Sequence, residues 1–106
     1  MPKPGIKILT DTPGEGPAFH PGEPVRIRFV TRLRRGEALG PEQILDWVFG
    51  KRNVIAGFRY GLEGMRPGGV RVFQAKPHLC YREATADGIP PTATLIFEIR
   101  EIRRLP

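Results

Sequence analysis

The chain has 106 residues, 40% of them hydrophobic and 26% charged, enough apolar material for one folded core and the wrong composition for a disordered chain. Seventeen lysines and arginines against eleven acids leave a net charge of +6, so an acidic partner or nucleic acid has to be weighed. A lone cysteine excludes an internal disulfide, the lack of any serine excludes a serine nucleophile, and no run of about 18 apolar residues is present to span a membrane.

The length predicts one domain over residues 1–106. The opening Met1-Pro2-Lys3-Pro4-Gly5 lacks the apolar stretch of a secretory signal. With the lone Cys80, this makes the cytoplasm the expected compartment. Ile6-Lys7-Ile8-Leu9-Thr10 reads as a short strand, ended by turn-forming residues from Asp11 to Gly16. After a second turn at His20-Pro21-Gly22-Glu23, Val25, Ile27, Phe29, Thr31 and Leu33 alternate with Arg26, Arg28, Val30, Arg32 and Arg34. Period two puts the first set on a core face and the arginines mostly in water. A charged outer face also discourages pairing with a foreign strand.

Arg35-Gly36-Glu37 predicts a hairpin turn, and residues 44–49 a further strand with Leu45, Trp47 and Phe49 on one face. The period then changes. Ile55, Phe58, Leu62 and Met65 follow the three-four-three spacing of one helix face. Gly57, Gly61 and Gly64 make that helix poor on propensity, so it needs a sheet to pack against, at a close approach that glycines permit. Arg66-Pro67-Gly68-Gly69 stops it. Residues 70–75 follow as a strand, 77–81 as a tight turn or short helix, 82–91 as a loop, and 92–102 as a last long strand with Leu95, Phe97 and Ile99 on one face. The elements sum to an α+β fold, a mainly antiparallel sheet with one short helix across it.

Conventional catalytic sets are missing. His20 lies in a Pro-Gly turn far from His78, and His78 with Cys80 has no second pair to complete a metal site. Nothing nominates a base to hold a Cys80 thiolate, and its expected place is as a small buried filler. On periodicity alone, the apolar residues of this half of the chain are core.

Their order is more specific. Val54-Ile55-Ala56-Gly57-Phe58, Gly64-Met65, Pro77-His78-Leu79-Cys80-Tyr81 and Ile89-Pro90-Pro91-Thr92-Ala93-Thr94-Leu95-Ile96-Phe97 closely resemble the FKBP-type peptidyl-prolyl cis-trans isomerases. The resemblance implies a twisted antiparallel sheet wrapped around one short helix, and a pocket that isomerises X-Pro bonds. By the same resemblance, Ile55 lines the pocket and offers its backbone N–H, Phe58 stands for the usual floor tryptophan, and the Tyr81 hydroxyl binds a ligand carbonyl. Ile89 and Phe97 form wall, and Val54, the first member of the Val-Ile pair, joins the substrate-binding residues. The first half departs from the family pattern: Phe29 replaces a tyrosine, Leu39-Gly40 replaces a Phe-Asp pair, and Leu45 falls at a further aromatic position.

No cofactor and no metal are implied. The partners implied are proline-containing peptides or unfolded segments, with macrolide inhibitors; no membrane and no nucleic acid are expected, and a monomer is. A pocket with fewer rings and hydrogen bonds implies reduced activity, and the alternative is a peptide-binding or chaperone module of the same fold with little turnover. A third reading, from another class, is a basic accessory protein that binds an acidic partner or nucleic acid through its arginine face.

Overall fold

The computed structural model describes residues 3–80 and 93–106. Five strands, β1 (Ile6–Thr12), β2 (Pro24–Leu33), β3 (Gln43–Val48), β4 (Val70–Ala75) and β5 (Leu95–Arg104), form one sheet in the order β1-β4-β5-β2-β3, every pair antiparallel. Among the described residues one helix, α1 (Ala56–Gly61), packs on β1 and β4, and one 3₁₀ turn spans Pro77–Leu79. This is the expected α+β architecture.

The alternation read in β2 holds where it was strongest. Val25 and Ile27 are fully buried and Phe29 nearly so, each directed into a core shared with Trp47, Phe73, Leu95, Phe97 and Ile99. β5 sits at the centre of the sheet. It carries a register shift opposite Arg28 and Phe29, so that Ile99 and then Ile102 reach the core, although a strict period of two would bring in Glu101. An extra residue in one strand resets the phase in this way.

The helix is shorter than its periodicity suggests. It ends at Gly61, and Leu62 to Met65 continue as a turn in which Met65 N–H donates to Leu62 O (3.1 Å) and Gly64 takes a φ of +80°. Gly61 explains the close approach. A Cβ placed there would lie 1.9 Å from a carbon of the Phe73 ring, so only glycine lets the helix settle on β4.

β1 runs to Thr12, past the turn expected from Asp11, because Asp11 pairs in register with Arg71 and Thr12 with Val70. β5 likewise continues to Arg104, and its last residues pair with Arg26 and Val25.

The outer face carries charge that is largely internally matched. Arg28 meets Glu101 (3.1 Å) and Glu42 (3.9 Å), Arg100 meets Glu42 (3.5 Å) and Glu98 (2.8 Å), and Arg32 meets Glu98 (3.2 Å). Arg26 grips both oxygens of Asp46 at 2.7 and 2.9 Å. The hydrogen bond from Arg26 holds the Asp46 carboxyl below its usual range, and that from Arg100 does the same for Glu98. Val30, in phase with these arginines, is nevertheless buried, with Glu98 as its register partner.

Candidate functional site

The sheet and helix bring Phe29, Phe58 and Phe97 together from β2, α1 and β5. Phe58 lies 4.9 Å from Phe29 and 5.4 Å from Phe97 between ring centroids, the second contact edge-to-face at 72°. Phe29 and Phe97 close the triangle at 6.5 Å, and Phe73 extends it behind Phe97 at 5.4 Å. These separations are those of mutually attractive aromatic pairs. All three rings are buried, Phe58 at 3% exposure, so they form the floor of the region and contribute little to its surface.

Val54, Ile55, Leu39 and Leu45 are partly buried, each packed against the same hydrophobic core. Leu45 is in register with Ile27, and Leu39 is drawn beside β2 by its N–H bond to Thr31 O (2.8 Å). Ile55 is extended (φ −60°, ψ 149°) at the entry to α1 and passes its carbonyl to Arg59 N–H (3.2 Å). Among the described residues its own N–H has no acceptor. Seven of the nine residues singled out in the sequence thus lie in or against the hydrophobic core. Tyr81 and Ile89 lie outside the described residues.

Gly40 is different. Its φ is +126°, and a Cβ built there meets no atom of the described residues within 4 Å. A side chain at this position would be strained, and its first atom would touch nothing.

The chemistry of the region is apolar. Cys80 is half-buried, its Sγ 3.7 Å from Ala75 O, and burial pushes its thiol up to about 11. At neutral pH it is therefore a neutral thiol, not a nucleophile. No group of three or more metal-ligating side chains occurs among the described residues.

Two residues make contacts that periodicity alone does not reveal. Trp47 lies on the core face expected of it, its ring edge-on to Phe58 at 6.2 Å, and its indole N–H donates to Asn53 Oδ1 (2.9 Å) and Lys51 O (3.2 Å). Arg71 is buried in β4, in phase with Phe73 and Ala75. It holds Asp11 with two nitrogens (3.1 and 3.2 Å) and donates to the carbonyls of Gly61 (2.9 Å) and Glu63 (2.7 Å). The available signal was a charge on the core phase of a strand, which demands partners.

A short helix laid across an antiparallel sheet, over a cluster of rings and beside a backbone donor with no acceptor among the described residues, is the arrangement implied by the FKBP motifs. Residues 16–101 match the family described as FKBP-type peptidyl-prolyl cis-trans isomerase, and the chain belongs to that family. It is 33% identical over 99 residues to FK506-binding protein 4 of Aspergillus fumigatus, a match covering 91% of this chain and 20% of that protein. It is 32% identical over 101 residues to FK506-binding protein 3 of Yarrowia lipolytica, covering 92% and 25%. The solved structure of AtFKBP13 superposes with a TM-score of 0.77 at 26% identity, covering 94% of this chain and 91% of that one. The chain spans about a fifth to a quarter of the length of these two curated relatives.

Proposed function

We propose that this chain is a peptidyl-prolyl cis-trans isomerase domain working by desolvation. Rotation about an X-Pro bond crosses a barrier of about 18–20 kcal/mol because the amide is resonance-stabilised. At the twisted transition state the carbonyl oxygen carries less charge and needs less water, so an apolar pocket penalises the planar ground state more. The observation that carries this reading is the buried triangle of Phe29, Phe58 and Phe97, with Val54, Ile55, Leu39 and Leu45 partly buried against the same core. In it, Phe58 is the floor, the Ile55 N–H holds a substrate carbonyl, Tyr81 supplies a hydroxyl, and Ile89 completes the wall.

The substrates on this reading are proline-containing peptides and unfolded segments, and macrolides of the kind that FKBP proteins bind are the inhibitors. The domain spans residues 1–106 and acts in the cytoplasm as a monomer; no helix among the described residues is long and apolar enough to cross a membrane. The second reading is a peptide-binding or chaperone module of the same fold, favoured by Leu39 and the open surroundings of Gly40, which leave one side poor in rings and polar contacts.

Exchange NMR or a coupled tetrapeptide assay separates the two: catalysis above the uncatalysed rate supports the isomerase, and peptide binding without acceleration supports the module. Tyr81→Phe then tests the hydroxyl. It should weaken peptide or macrolide binding by about 0.5–1.5 kcal/mol, one neutral hydrogen bond, with stability nearly unchanged. A loss of stability with binding intact would make Tyr81 structural.

A further inference from the structure

The indole of Trp47 has a task that the desolvation mechanism leaves unassigned. Trp47 is 4% exposed and stands between Phe58 (6.2 Å) and Phe49 (5.4 Å). A purely apolar ring would fill such a place, whereas an indole brings an N–H that must be satisfied when buried. That N–H is shared between the Asn53 side chain and the Lys51 carbonyl. Lys51 N–H in turn donates to Val48 O at 3.0 Å, so the turn leaving β3 is tied to the strand at two points. Two residues beyond Asn53 lies Ile55, whose N–H has no acceptor among the described residues.

A donor that must meet a substrate carbonyl needs a stiff support, because a site on a loop drifts out of productive geometry unless neighbouring groups lock it. We propose that Trp47 and Asn53 are positioning residues for the isomerase reaction: the indole N–H clamps residues 51–53 and thereby aims the Ile55 N–H, while the same ring braces Phe58 from behind. One side chain on β3 thus couples the two parts of the site, its polar donor and its apolar floor. The assignment rests on the isomerase reading.

Trp47→Phe keeps an aromatic ring beside Phe58 and removes the N–H, Asn53→Ala removes the side-chain acceptor, and Asn53→Asp keeps an acceptor oxygen. All are assayed well below their unfolding temperatures. Each of the first two should raise KM about threefold to tenfold with kcat nearly kept, the pattern of a weakened contact made equally in ground and transition states. The double variant should be no worse than the poorer single one, and Asn53→Asp should recover most of the loss. Fully additive losses, an unchanged KM in Trp47→Phe, or a fall in rate matching the unfolded fraction would each overturn the proposal.

Amide hydrogen exchange supplies a readout independent of turnover. Trp47→Phe should speed exchange at residues 51–55 while β2, β4 and β5 keep their protection, and unchanged exchange there overturns the clamp. A parent protein that binds and isomerises no peptide sinks the isomerase reading instead, which keeps the two failures apart.

Discussion

Arg71 makes a quantitative prediction, because its contacts differ in what water can replace. Arg71→Met keeps most of the stem and removes the guanidinium, which is the only part that bonds. The carbonyls of Gly61 and Glu63 and both oxygens of Asp11 lose their donors together. Asp11 and Glu63 are exposed and recover water, whereas Gly61 is buried and its carbonyl has less access to a substitute. Hydrogen bonds to a charged group contribute about 1.5–3 kcal/mol each, and only the least replaceable one should count in full, with a fraction from the others. The expected cost is about 2–4 kcal/mol, a large share of the roughly 5–15 kcal/mol that holds a domain folded. Asp11→Asn should cost about 0.5–1 kcal/mol, as for a pair with one partner in water. Urea unfolding followed by circular dichroism measures both, with an unchanged m-value expected. Equal losses in the two variants would mean that the ion pair, and not the closure of the helix end, carries the energy. A loss below about 1 kcal/mol in Arg71→Met would refute the accounting altogether.

Acid should destabilise the fold through Asp46, Glu98 and Glu23, the last held low chiefly by the His20 backbone N–H; their folded values lie below the ordinary 3.8, 4.5 and 4.5, so this stability is present above those values and fades as pH falls further. Thermal melts from pH 6 to pH 2 check this, and a midpoint flat across about pH 4.5 to 2.5 would contradict it. Cys80 works in the opposite direction: its thiol is raised from 9.0 to about 11, so stability should decline as pH rises from 9 towards 11, and maleimide labelling of the folded protein at neutral pH should be slow. Fast labelling would show an exposed thiolate. Because no titrating group takes part, kcat should be flat from about pH 5 to 8, and Cys80→Ala and His78→Ala should keep most of the activity; a bell-shaped profile would contradict the desolvation mechanism. Leu39→Phe should raise kcat/KM about threefold to tenfold by refilling the wall, whereas Gly40→Asp should lose about 1 kcal/mol of stability at its positive φ and add nothing to the rate.

What the sequence disclosed and what it hid divide along a physical line. Features carried by one segment were legible. The alternation from Val25 to Leu33, the helical spacing of Ile55, Phe58 and Leu62, and the order of the Val-Ile, Pro-x-x-x-Tyr and Ile-Pro-Pro motifs each lie within a few residues. Features that depend on a second segment were hidden. β1 outruns its turn residues because Arg71 waits across the ladder at Asp11, 60 residues away. The helix stops at Gly61 although the apolar spacing runs on to Met65, because the turn after Leu62 buries Met65 without helical geometry. Val30 is buried on the charged face because Glu98, 68 positions on, stands opposite it and is held by two arginines. The arginine run itself suggested a basic surface, yet Arg26, Arg28 and Arg32 each meet a carboxylate supplied by β3, β5 or the segment before β3.

The same division applies to the candidate site, and it bears on how the departures from the family act. Position 58 carries a phenyl ring where the family usually carries an indole, and the chain's one tryptophan stands behind it on β3, edge-on at 6.2 Å. The aromatic mass beneath the pocket is therefore shared between helix and strand, and an apolar floor depends on rings being present more than on which element supplies them. Hydrogen bonds are less forgiving, since a donor displaced by an ångström is a donor lost. Phe29 has no hydroxyl, and Gly40 has no side chain to orient one. On the proposed mechanism, desolvation of the bound X-Pro bond would rely on the rings, and the grip on the peptide would rely on the Ile55 N–H and the Tyr81 hydroxyl. It follows that the missing hydroxyl at Phe29 should weaken the hold on the substrate, seen in KM, more than the rate of rotation once it is bound, whereas Gly40, whose Cβ would touch nothing among the described residues, should matter little to either.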